Sequence, residues 1–438
     1  MFNRSFKSLQ GFAPIVTIGI ALLKPQTHQT LVLSDWTKRL QVAGKKRLPK
    51  PTFFNAVVAL REAPDWQCVL AYDDFAKRTV LTAPPPWSVF RDDVERPWTD
   101  IDDLLTWEWL QSKNILVQQR TCAQAVELVA HDRPFNPVLD DLDSVGKWDG
   151  VPRLDEAFSK YFGVTNNDYT QTVSRCFFIG AVARARDPGC QCDSLPILEG
   201  LQGLGKSSGC RVLFDPFFSD EIADIGSKDA SLQLQGVWCI EISELDAMSR
   251  ADVSKAKAFL SRRTDRFRVP YGHRPAEYPR SCIFIGTTNP SAGYWKDETG
   301  GRRIWPVKCE KPIDLIGLRA VRDQLWAEAV QLYEAGAVWY IVNPKVLKLA
   351  EDEQADRYVG DPWTEQVLLF IDKMEETAVS DILETCLCVS IDKQDQVGQN
   401  RVSRILRSNK WERVQKREGN VRTWVYRRIK EPKGEKVS

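Results

Sequence analysis

Four short apolar runs stand out in the middle of the chain: PILE (196–199), GVWCIEIS (236–243), CIFIGTTN (282–289) and RIWPV (303–307). Each is a short, nearly continuous apolar run rather than an alternating one, the pattern of a strand buried on both faces. A helix is expected over Asp168–Arg186, and further helical stretches separate the runs. Strands alternating with helices predict an α/β/α sandwich. Upstream, TDIDDLLTWEWLQS (99–112) and CAQAVELVAHDR (122–133) place apolar residues at helical spacing, and two breaks rich in proline and charge (44–51, 83–98) precede them. Downstream, 377–390 and 397–409 are helical by spacing, and KWERVQKREGNVRTWVYRR (410–428) reads as two strands about Glu418-Gly419-Asn420. Helix, helix and a two-stranded hairpin outline a winged helix.

Composition narrows the class. With 438 residues, 43% hydrophobic and 27% charged, the chain is expected to be a soluble protein of several domains. Its net charge of +1 requires any nucleic-acid surface to be local. Eleven cysteines form no C-x-x-C pair and there are three histidines, which argues against a zinc ribbon and for free thiols in a reducing cytoplasm. The run FAPIVTIGIALL (12–23) is too short to span a bilayer, so no membrane partner is expected.

The first candidate chemistry follows PILE. In GLQGLGKSS, Gly200, Gly205, Lys206 and Ser207 match the G-x-x-x-x-G-K-[ST] phosphate loop, with Gly203 and Ser208 completing the stretch. Glycines let backbone N–H groups turn inward around phosphate oxygens. Lys206 supplies a point charge, and the Ser207 hydroxyl is placed to ligate Mg²⁺. ATP and Mg²⁺ are the expected cofactors. A glycine-rich surface turn is the plain alternative.

Hydrolysis needs more. Glu244, at the tip of GVWCIEISE, is the expected acid that polarises water. Glu241, three residues earlier, is a candidate Mg²⁺ ligand; Ser243 stands where paired acids would put the first carboxylate. Asn289 ends the next strand, where an amide can orient water against a γ-phosphate. Arg302 and Arg303 follow a glycine pair and are candidates for a cation reaching across a subunit boundary. Between Lys255 and Arg280, six arginines interleave with aromatics; Arg266, Arg268, Tyr271 and Arg274 are the candidate DNA contacts. Arg401, Arg404 and Arg407 recur every third residue and read as a second DNA-facing stripe. Helix and hairpin arginines paired with nearby acids, or a solvated face, are the plainer readings of both clusters.

The motifs WDGVPRLD, ILEGLQGLGKSS, LQGVWCIEISELD, KAFLSRRTDRFRVPYG, PRSCIFIGTTNP, DETGGRRIWPV and LWAEAV, taken in that order, resemble the virulence-associated protein E (VapE/VirE) family over about 114–343. That family resembles superfamily 3 helicases of phages, prophages and pathogenicity islands. The resemblance implies an AAA+-like P-loop ATPase, a homo-hexamer, acting on single- or double-stranded DNA with a primase or replication-initiation partner. The first hundred residues are too short for the primase–polymerase domain of many relatives. The expected division is an α+β region of unknown role (1–98), a helical region (99–167), the P-loop ATPase (168–345), a linker (346–362), a winged-helix-like domain (363–430) and a basic tail (431–438). An ATP-dependent DNA helicase or replication ATPase is expected; a nucleotide-gated DNA-binding regulator, or a P-loop kinase for a small molecule, remains open.

Overall fold

The computed structural model describes residues 35–88, 96–222, 225, 227–243, 250–268, 274–289, 301–357, 361–418 and 421–429. Glu244, Tyr271, the apolar run 12–23 and the basic tail lie outside these. The chain divides into two units, Met1–Arg357 and Tyr358–Ser438.

The first unit opens with helix α1 (Phe53–Glu62), strands β1 (Leu70–Asp73) and β2 (Arg78–Leu81), and helices α2 (Asp100–Ser112) and α3 (Gln119–Ala130). A small sheet runs Arg96–Pro97, β2, β1, Pro134–Phe135. One apolar cluster joins Leu60, Trp66 and Leu81 to Leu110, Ile115 and Val126. The expected boundary at 98/99 therefore cuts through a core: α2 and α3 pack on the segment before them. The next apolar cluster takes in Val138 and Leu142, and Phe75 of the earlier segment reaches into it. An amphipathic stripe announces a helix, but not which neighbour covers it.

Beyond it come helix α4 (Asp168–Arg186), strand β3 (Leu195–Glu199), helix α5 (Lys206–Phe214), strands β4 (Phe218–Ser219) and β5 (Cys239–Ile242), and helix α6 (Arg250–Leu260). A hairpin of β6 (Thr264–Phe267) and β7 (Ala276–Pro279) follows, then strands β8 (Ile283–Thr288) and β9 (Ile304–Lys308), and helices α7 (Leu315–Glu334) and α8 (Pro344–Asp356). The five strands lie in the order β9-β3-β8-β5-β4, all parallel. Both sheet faces are buried, as the unbroken apolar runs require. Leu195 and Ile197 pack with Ala230, Phe259 and Leu260, whereas Leu198 joins Phe178, Trp238 and Trp326 in the other cluster. Period-two alternation inside β3 thus feeds two cores.

Helix α8 corrects the expected linker at 346–362. Val346 and Ala350 are buried in the main core, and Gln354 donates to Ile304 O at 2.9 Å. Its charged residues cover only its outward face, so its acidity does not mark a connector.

The second unit contains helix α9 (Thr364–Ile371), a short strand (Glu376–Thr377), helical turns over 379–386, helix α10 (Gln396–Ser408) and an antiparallel hairpin of β10 (Trp411–Glu418) and β11 (Val421–Arg428). The short strand pairs with β11, and Val367, Leu383, Ile405, Trp411 and Tyr426 share a core. Among the described residues no helix is long and apolar enough to cross a membrane, and no three metal-ligating side chains cluster.

Candidate phosphate-binding site

The loop after β3 is fixed at both ends. Glu199, the last residue of β3, receives both Arg357 Nε and an Arg357 terminal nitrogen at 2.9 Å. A Cβ on Gly200 would lie 2.7 Å from Cys309 O and from Leu204 Cδ1, so only glycine passes there. Gly205 has φ +88° and caps α5, in a left-handed conformation that glycine adopts freely. Gly203 lies in the exposed turn between them, and Ser207 and Ser208 stand in the first turn of α5. The loop thereby delivers the N-terminal end of a helix to the carboxyl edge of the sheet, a ready site for anions.

Lys206 is only 8% exposed. Its ammonium donates to Gly200 O at 2.6 Å, Leu201 O at 3.1 Å and Asn289 Oδ1 at 3.1 Å. All three acceptors are neutral. Burial accordingly holds its pKa below the usual lysine range, with the nearby Cys309 and Glu241 partly offsetting this. A buried cation with no hydrogen-bonded counter-ion is costly, and a phosphate would supply one.

Glu241 is 2% exposed in β5. Its Oε1 accepts from Ser207 Oγ at 2.7 Å and from Thr287 Oγ1 at 2.5 Å. Its Oε2 is buried and meets no hydrogen-bond donor. Buried polar atoms are nearly always satisfied, so an orphaned carboxylate oxygen beside this glycine-rich loop calls for an explanation. A hard carboxylate oxygen beside the Ser207 hydroxyl is the donor chemistry that fits Mg²⁺, which keeps water for its remaining positions.

Four expected residues, Lys206 and Ser207 at the start of α5, Glu241 in β5 and Asn289 just after β8, thus meet because β3, β8 and β5 are neighbours. Thr287 and the Glu199–Arg357 pair were missed as site residues. The pair links positions 158 apart in sequence, and no local signal announces it.

Arg302 and Arg303 stand elsewhere. β9 runs parallel to β3 with Ile304 opposite Leu195 and Lys308 opposite Glu199. The two arginines therefore lie at the amino edge of the sheet, one strand length (about 16 Å at ~3.3 Å per residue) from the loop. Arg303 Nε donates to Asp193 at 2.8 Å, Arg302 is exposed, and both line a cavity of about 490 Å³ with Trp305, Trp339 and Tyr340. Within one chain they do not join the glycine-rich loop.

The arginine-rich segment divides by partner. Arg280 is buried, with two 2.8 Å bonds to Asp265, and Arg262 lies 3.7 Å from the same carboxylate. Arg266, Arg268 and Arg274 are exposed on the β6–β7 hairpin, where Phe267 stacks on Tyr278 at 4.5 Å.

The C-terminal stripe divides too. Arg401 Nε lies 2.6 and 2.7 Å from the Asp361 oxygens, and its guanidinium sits 3.8 Å from the Trp363 ring centre. It packs inside the unit rather than facing outward. Arg404 and Arg407 are exposed, Arg407 donating to Tyr426 Oη at 3.3 Å. Steps of three on a helix of 3.6 residues per turn drift by about 60° each, so Arg401 and Arg407 point some 120° apart. They form no single face.

Residues 142–359 match the family model of the virulence-associated protein E-like domain. The chain belongs to the VapE-like family. The VapE-like domain runs from the end of the helix over Pro137–Ser144 past Arg357, so α8 and the Glu199–Arg357 pair fall inside it. The apo structure of the NrS-1 C-terminal region is similar over 82% of this chain and 96% of that one, at 11% identity and TM-score 0.45. An A-form apo structure of the same region gives 11% and 0.42 over the same shares. Likeness at that level bears on neither activity nor residue roles. No curated protein matches the sequence.

Proposed function

We propose that this VapE-like protein is an ATP hydrolase of superfamily 3 helicase type, with an AAA+-like P-loop core, working on DNA in the replication of a phage, prophage or pathogenicity island. One observation carries the reading: the uncompensated Lys206 ammonium and the orphaned Glu241 oxygen flank one phosphate loop at the carboxyl edge of a parallel sheet, where open α/β sheets bind ligands. Lys206 would hold the β- and γ-phosphates, and Ser207 and Glu241 would hold Mg²⁺. Bound there, the ion would neutralise charge on the phosphate oxygens. Asn289 would orient the attacking water and Glu244 would accept its proton.

Arg302 and Arg303, a strand length from their own loop, suit the loop of a neighbouring subunit in a homo-hexamer. Mixing Lys206→Ala chains with Arg303→Ala chains is then expected to restore part of the ATPase activity. No recovery in verified mixed oligomers would put the arginine to other use. DNA contact falls to Arg266, Arg268 and Arg274 on the hairpin, and to Arg404 and Arg407 on α10, read as the recognition helix of a winged helix.

The deciding experiment is ATP hydrolysis with and without single-stranded DNA, alongside particle size and strand separation. Hydrolysis stimulated by DNA with unwinding is expected. ATP-dependent DNA binding without unwinding would instead make the protein a nucleotide-gated regulator, and no ATP turnover would sink the hydrolase reading.

A further inference from the structure

The N-terminal body carries a charged element that the proposed ATPase does not use. From Lys38 to Lys50 the chain has six cations and no acid, against a net charge of +1 for the whole protein. The segment folds as a short antiparallel hairpin, Val42 opposite Pro49 and Ala43 opposite Leu48, with its turn at 44–47. Gly44 at φ +71° and Arg47 at φ +46° tighten that turn.

Two of the six cations are engaged: Lys38 with Asp35 at 3.6 Å, and Arg39 with Glu62. Lys45, Lys46, Arg47 and Lys50 are exposed and make no ion pair among the described residues. Beside them Leu48, Phe53 and Phe54 are 52%, 42% and 44% exposed.

The hairpin is held from below by one buried side chain. Asn55, fully buried in the first turn of α1, donates through Nδ2 to Gln41 O at 2.8 Å and Lys50 O at 2.9 Å. Its Oδ1 accepts from Gln41 N at 2.8 Å. Lys50 N closes the stem onto Gln41 O at 2.8 Å. Asn55 therefore grips both legs of the hairpin, and its backbone N–H is capped by Thr52 Oγ1 at 3.3 Å. Such a fixed base presents the tip in one orientation without further ordering cost.

We infer that this Asn55-clamped hairpin is a DNA-binding element, its Lys45, Lys46, Arg47 and Lys50 contacting the phosphodiester backbone. Protein interfaces deplete charge at their centre, whereas this tip is almost nothing but charge. Counter-ion release makes a polyanion its natural ligand, and the adjoining exposed phenylalanines suit base or sugar contact. The choice of DNA rests on the functional reading above.

The test uses full-length protein, fluorescently labelled single-stranded and duplex DNA, no nucleotide, and a salt series. Wild type is compared with Lys45→Ala/Lys46→Ala/Arg47→Ala, whose side chains are exposed and support no core. At roughly 0.9 units of log–log slope per phosphate contact, the triple variant should flatten the salt dependence by about 2 to 3 units and weaken binding at least tenfold near 0.1 M salt. Asn55→Ala should weaken binding too, with all cations retained; if it fails to fold, the triple variant alone decides. Whichever DNA form shows the larger loss is the form the hairpin grips. An unchanged slope and affinity in the triple variant overturns the inference, as does an equal loss of binding to phosphatidylserine vesicles with none to DNA. DNA-free ATPase activity should stay at wild-type level in the triple variant. Because binding is read without nucleotide, failure of the ATPase reading would appear in a separate assay.

Discussion

Lys206 at the start of α5 and Arg401 in α10 are both cations drawn partly out of water, yet their surroundings differ in kind. Lys206 meets two carbonyls and an amide oxygen, all neutral; Arg401 meets the Asp361 carboxylate and the Trp363 ring. The first retains an unbalanced charge, and the second is already neutralised. A cation held by neutral acceptors is poised for a ligand, whereas one locked to a buried carboxylate is a structural tie. The same distinction separates Arg280, tied to Asp265, from the exposed Arg266, Arg268 and Arg274 on the neighbouring hairpin.

Substitutions can break this contrast. The largest effect is expected from Lys206→Ala, which should lower ATP turnover by roughly 10²–10³-fold while leaving the melting temperature near wild type, since it removes charge stabilisation and no ion pair. Substantial turnover in that variant would end the phosphate-loop assignment.

Next comes Glu241→Gln. It keeps the shape but gives up the carboxylate, and should cost roughly 10–100-fold in Mg²⁺-dependent turnover, partly recovered at higher Mg²⁺. An unshifted Mg²⁺ titration would show that the orphaned oxygen serves no ion.

Arg401→Ala should act on stability. Leaving the buried Asp361 carboxylate without its guanidinium is expected to cost about 2 kcal/mol in the C-terminal unit, read as faster hydrogen exchange across 364–408. Exchange at the wild-type rate, coupled to weaker DNA binding, would return Arg401 to the DNA-facing set. The smallest effect belongs to Arg404→Ala/Arg407→Ala, which should flatten the salt dependence of DNA binding by about 2 units with little change in stability. Loss of stability instead would make these arginines ties as well.

The sequence by itself determined much of the molecule. Continuous apolar runs announced strands buried on two faces, and four of the five strands of the parallel sheet lie within them or pass a run's end by a single residue. The strand, glycine-rich loop and helix around Gly200–Ser207 were legible because their signals are local: an apolar run, glycines where the chain turns tightly, and a helix start lie adjacent in sequence. The helix, helix and hairpin order of the C-terminal unit was legible for the same reason, since period and turn residues are short-range signals.

Tertiary structure alone decided the rest. That Ser207 and Thr287 share one oxygen of Glu241 and leave the other unpaired follows from strand order, which period-two patterning does not encode. That α2 and α3 pack on the N-terminal body, and α8 on the sheet rather than in a linker, depends on which surface covers each apolar stripe. The arginines make the limit plainest. Arg401 and Arg404 look alike in sequence, and only the fold sets Asp361 and Trp363 against one of them, because the worth of a charge lies in its long-range neighbours.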